Sequence, residues 1–86
     1  MKLRIITPNH SILYETEWIE IHTLHGSAVI KHGHAPIIFS LAHNKTLSFS
    51  LKNGDIKTFL LERGGFVEVT RKNVIALINQ EMSLRQ

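Results

Sequence analysis

Short runs of alternating apolar and polar residues, cut every eight to twelve positions by turn-forming residues, constrain this chain more than any other feature. "KLRIIT" is β-branched and stops at the turn signal Pro8-Asn9. "ILYETEWIEIHTL" continues as one long extended segment. From Trp18 onward, Trp18, Glu20, His22 and Leu24 point one way and Ile19, Ile21 and Thr23 the other. The isoleucine face is the better core candidate. "HGSAVIK" is a short strand introduced by Gly26, and "PIIFSL" follows. "TLSFSL" puts Leu47, Phe49 and Leu51 on one face and Thr46, Ser48 and Ser50 on the other. Asn53-Gly54 predicts a type I′ hairpin turn, since both residues tolerate positive φ. "IKTFLLE" returns, Gly64-Gly65 breaks the chain, and "FVEVT" is a strand. Arg71-Lys72-Asn73 turns, and "VIALIN" closes as a strand that is apolar on both faces. No segment before residue 79 has helical periodicity. The final "QEMSLRQ" contains good helix formers but is too short to stand alone.

The fold class expected is therefore all-β, an antiparallel sandwich or barrel of short strands. An 86-residue chain forms one domain, here residues 1–80, followed by a short tail, 81–86. A domain this small buries about 60–65% of its unfolded surface, which leaves little room for a deep enclosed active site. It has no cysteine, so disulfides, thiolate metal sites and a cysteine nucleophile are excluded, and an intracellular location is favoured. The formal charge is +3, with lysines and arginines spread along the chain rather than forming a block. That argues against a nucleic-acid-binding stripe. No apolar run reaches the ~18 residues that span a bilayer, and the N-terminus does not read as a signal peptide.

Four of the six histidines, His22, His25, His32 and His34, fall within thirteen positions. Imidazole binds zinc, copper and nickel, so a histidine-rich metal-binding β module is one reading. Gly33 disrupts the pairing of His32 with His34, and no acid completes a set, the nearest being Glu20. No metal site is expected. The serines alternate along strands or sit in turns, and none occupies a strand-to-helix elbow, so no catalytic triad is expected. Neither "ERGG" nor "HGH" leads into a helix, as a phosphate loop must. Glu15 and Glu17 share one face of an exposed strand and read as a solvated edge. Phe49 and Phe59 share faces with leucines, which points to core packing rather than base stacking. No cofactor is implied, and the chain reads as a binding module rather than an enzyme.

"GHAPII", then "GGFVEV", then "NVIALI" resembles the epsilon subunit of rotary proton-translocating ATP synthases. "ITPNHSILYETEWIEIHTLHG" is similar to that family's opening strand pair. The resemblance covers residues 2–78, with His34-Ala35-Pro36 and Gly64-Gly65-Phe66 as its most specific markers. It implies a small antiparallel β-sandwich of about eight to ten short strands, serving as a non-catalytic central-stalk subunit that links the gamma subunit to the c-ring and couples rotation to ATP synthesis. It further implies a position peripheral to the membrane, on the cytoplasmic side of a bacterial inner membrane, without direct membrane insertion. The partner-binding residues it implies are Gly26, Ser27, His32, Gly33, His34, Ala35 and Pro36, in a loop at the end of the sandwich that faces the c-ring. Within that loop Gly33 permits a sharp turn, Pro36 extends Ala35, and His34 anchors the turn by a hydrogen bond. Three departures stand out. Ser27 occupies the family's acidic position, His32 and Val29 replace its Pro and Gly, and the chain stops at Gln86, where the helical hairpin that inhibits hydrolysis would begin. A subunit of this length is expected to lack that brake.

Overall fold

The computed structural model describes residues 1–81; part of the expected tail, 82–86, lies outside the described residues. Eight strands follow in order: β1 (Lys2–Ile6), β2 (Ser11–Thr23), β3 (Gly26–Lys31), β4 (Ile37–Leu41), β5 (Lys45–Leu51), β6 (Ile56–Leu61), β7 (Gly65–Val69) and β8 (Asn73–Ile78). The hydrogen-bonded path runs β4-β7-β8-β1-β2-β5-β6, with β3 added on β2. The fold is the expected all-β sandwich. Every pairing is antiparallel except β1 with β8, which is parallel. Alternation within each strand carried no information about that long-range pairing.

The 13-residue β2 is shared by both layers. Its first half pairs with β1 (Lys2 opposite Glu15), and its second half with β3 and β5 (Ile19 opposite Ile30 and Phe49). Between Thr16 and Trp18 the register with β5 slips. The inserted residue reverses the phase of the strand. Ile12, Tyr14 and Thr16 face inward before the slip, and Ile19 and Ile21 face inward after it. Thr16 is wholly buried, and the chain start is tied to it. The Thr16 amide and hydroxyl both donate to the Met1 carbonyl, at 2.8 and 3.0 Å.

The core lies between the layers. Leu3, Ile5, Val67, Val69, Val74, Ala76 and Ile78 face Ile19, Ile21, Ile30, Leu47, Phe49, Phe59 and Leu61. Phe49 is the hub, with ring centroids 4.7 Å from Tyr14 and 6.0 Å from Phe59. The expected faces of β5 and of the second half of β2 are those observed.

The β5–β6 turn differs from expectation. Gly54 has φ +97°, but Asn53 is not in the positive-φ region, so the turn is not type I′. The Gly54 amide donates to the Leu51 carbonyl at 3.0 Å, as in a type I turn followed by a glycine in the left-handed region. Asn53 contributes its side chain instead, Oδ1 accepting from the Asp55 amide at 3.0 Å.

Candidate functional site

The expected docking residues do not form one loop. Gly26 and Ser27 open β3, where Gly26 sits opposite Thr23 and its carbonyl accepts from the Thr23 hydroxyl at 3.0 Å. His32, Gly33, His34, Ala35 and Pro36 follow the other end of the same strand. Five residue steps of extended chain separate Gly26 from Lys31, roughly 17 Å. The expectation of one continuous docking loop is corrected accordingly: a strand, with its obligate extension, lies between the two groups.

The His32–Pro36 segment is shaped as the residues predicted. Gly33 has φ +82°. The His34 amide donates to the Lys31 carbonyl at 3.1 Å, and His34 Nδ1 donates to the Ala35 carbonyl at 2.8 Å. The His34 ring meets Phe39 edge-on at 6.4 Å. The Gly33 amide donates to the Arg71 carbonyl at 3.3 Å, which joins this loop to the β7–β8 turn. Among the described residues, no group of three or more His, Asp or Glu is close enough together to hold a metal ion. His22 lies toward the Gly26 end of β3, opposite Ser27, and His32 lies beyond the far end.

The most unusual surface was not anticipated. Strand register places outward side chains of β4, β7, β8, β1 and the first half of β2 in rows. One row reads Ser40, Phe66, Leu77, Ile6, Ser11; the next reads Ile38, Glu68, Ile75, Arg4, Leu13. Ile38, Phe66, Leu77 and Leu13 are 67, 52, 47 and 46% exposed. An apolar sheet face left in water is a docking surface or an aggregation hazard. The sequence held one signal for it, because β8 is apolar on both faces. A sheet with one solvated face alternates; a strand covered on both sides does not.

A second feature lies where the chain leaves β8. The Glu81 carboxylate accepts from the Thr7 hydroxyl and the Asn9 amide, each at 2.8 Å, and from His10 Nδ1 at 2.7 Å. The His10 bond, then that from Thr7, holds the Glu81 carboxyl below the usual carboxylate range. A cleft of about 80 Å³ lies beside it, walled by Ile5, Ile12, Tyr14 and Phe59. Burial alone raises the Tyr14 phenol. The arrangement pins a chain segment to the β1–β2 turn.

Residues 1–82 match the family described as "ATP synthase, Delta/Epsilon chain, beta-sandwich domain". No curated protein matches. Among solved structures, the fold is similar to a chain in the Euglena gracilis mitochondrial ATP synthase, described as OSCP/F1/c-ring in rotational state 1. The TM-score is 0.81 at 22% identity, covering 91% of this chain and 49% of that one. It is also similar to a chain of the Tetrahymena thermophila mitochondrial ATP synthase central stalk/c-ring. There the TM-score is 0.75 at 19% identity, covering 93% of this chain and 63% of that one. The chain thus spans about half to two thirds of the length of these neighbours.

Proposed function

This chain belongs to the ATP synthase delta/epsilon β-sandwich family, and on that premise we propose that it is a non-catalytic rotor subunit of an ion-translocating ATP synthase. In this role it joins the gamma subunit to the c-ring and transmits rotation by shape and rigidity. The observation that carries the reading is the apolar outer face of the β4-β7-β8-β1-β2 sheet, centred on Phe66 and Leu77. A sandwich that needed only to be stable in water would place polar side chains there. We assign gamma to this face. The His32–Pro36 loop borders the same side, because Gly33 is bonded to the β7–β8 turn.

The Leu24–Ser27 tip at the other end of β3 is a separate contact, and we assign it to the c-ring. Leu24 projects there with 82% of its surface exposed. Contact with the ring places the subunit peripherally at the membrane. Our assignment is the cytoplasmic side of a bacterial inner membrane. No helix among the described residues is long and apolar enough to cross a bilayer.

Co-elution with cognate gamma on a sizing column tests the reading. Wild type is expected to form a one-to-one complex. Leu77→Asp, which buries a charge at the centre of the interface, is expected to weaken it by about thirtyfold or more while the thermal midpoint of the isolated domain holds. Failure of the wild-type chain to bind gamma would refute the assignment.

A further inference from the structure

Lysines and arginines that are scattered in the sequence come together at one end of the apolar face. Lys2 and Arg4 point outward from β1, and with Leu13, Asn73 and Ile75 they line a shallow depression on the sheet. Lys2 also shares an adjoining depression with Lys72, His32 and Glu15. Arg71 precedes Lys72 in the β7–β8 turn, and both side chains are exposed. Two acids lie on this side. Glu15 faces the amino terminus at 3.9 Å, and Glu68 sits in the middle row beside Ile75. The opposite row, from Ser40 through Phe66, Leu77 and Ile6 to Ser11, has no charged residue of its own, and the Arg4 guanidinium turns toward it, Nη1 donating to the Ser11 hydroxyl at 3.0 Å. The sheet side is therefore graded from apolar to basic.

Area gives a second reason to join the two parts. Five strands at ~4.8 Å spacing and the two rows of outward residues, ~7 Å apart along the strands, make a flat patch of roughly 300 Å². A stable protein interface takes about 800 Å² from each partner. The apolar rows alone fall short, so a partner seated on them must extend over their borders, and the Lys2–Lys72 border is charged. A hydrophobic centre with a charged rim is the usual anatomy of an interface between proteins.

We propose that Lys2, Arg71 and Lys72 form an electropositive rim that steers this chain onto an acidic rim of its protein partner. The inference rests on the rotor reading above and adds to it the chemistry of the partner's edge and a kinetic role. Rim charges act at long range, before the apolar surfaces touch, so they raise the association rate more than they slow dissociation.

The test measures association and dissociation rates with cognate gamma at low and at physiological salt. Two double charge reversals are compared with wild type. Arg71→Glu with Lys72→Glu alters the rim. Lys45→Glu with Lys52→Glu makes the same change in net charge on exposed residues of the other layer. The wild-type association rate is expected to fall about tenfold between the two salts. The rim reversal should lower the low-salt rate by about tenfold, flatten the salt dependence and leave dissociation within about twofold. The other reversal should change the rate less than about threefold. Thermal melts confirm that each variant folds, and Lys72→Gln alone serves if the double rim variant does not.

Equal effects from the two reversals, or salt-independent association, would overturn the rim while leaving the rotor reading intact. Absence of wild-type binding at both salts would remove both. A third arm uses vesicles containing anionic phospholipid. Vesicle binding that the rim reversal abolishes, with gamma kinetics unchanged, would transfer the rim to a membrane surface and overturn the proposal.

Discussion

Gly64 and Gly65 show how much a single side-chain atom can matter here. Gly64 has φ +67°, and a Cβ there would lie 2.5 Å from the Leu41 carbonyl oxygen. Gly65 has φ +152°, and its Cβ would drive into the Leu77 carbonyl oxygen, which belongs to the strand paired with it. Backbone oxygens cannot swing aside as a flexible side chain would. Gly65→Ala is expected to cost about 2 kcal/mol or more, lowering the thermal midpoint by roughly 10 °C, as a melt followed by circular dichroism would show. Gly26, by contrast, faces open space, so a Cβ there meets only the strain of φ +125°.

Glu81 is a second single-residue device. Its pKa is lowered in the folded chain, chiefly by the His10 bond. Its contribution to stability is therefore present above the pKa of an unfolded glutamate and is lost as pH falls through the lower folded value. Urea midpoints of wild type and Glu81→Gln should differ at neutral pH and converge in acid. A gap that persists once the carboxylate is protonated in the folded chain would rule it out as the cause.

At the scale of elements, β2 decides the architecture. Its two halves serve different layers, and the slip between Thr16 and Trp18 is what lets both bury apolar residues. Deleting Glu17 would remove the extra residue and put the halves in one phase. Ile12, Tyr14, Thr16, Ile19 and Ile21 would then alternate without a break and all keep facing inward. The expected result is a folded chain with a dispersed amide spectrum in which β2 and β5 pair without a slip. A deletion variant that failed to fold would refute the phase-switch account. Phe49 holds the layers together from β5. Phe49→Ala is expected to cost about 3–5 kcal/mol, a large part of the roughly 4–13 kcal/mol available to a chain of this length. Urea unfolding measures it directly.

At the scale of the whole molecule, the sandwich is a body of 28 × 28 × 20 Å with one sheet side unfinished. Covering that side should stabilise it. Gamma at a hundred times its dissociation constant adds about 2.7 kcal/mol, so the midpoint of the domain should rise by roughly 10–20 °C. A midpoint that does not move on adding gamma would show that the apolar face has another occupant.

The strands themselves were legible in the amino-acid order. Alternation is local, and turn residues act within a few positions, so β5, the isoleucine face of β2, the turn at Pro8-Asn9 and the shape of the His32–Pro36 loop could all be read along the chain. Even the phase change in β2 is written there, in the shift from Ile12 and Tyr14 to Ile19 and Ile21. The β5–β6 turn marks the edge of that legibility, because Asn-Gly suits two turn types and the loop length chose between them. What only the tertiary structure decided depends on residues far apart in sequence meeting in space. These are the parallel pairing of β1 with β8, the gathering of Lys2, Arg71 and Lys72, and the separation of Gly26-Ser27 from His32–Pro36 along a strand. Local pattern says which side of a strand avoids water. Which strands share a side, and what that shared side presents to a partner, is set by long-range register, and no single stretch of the chain encodes it.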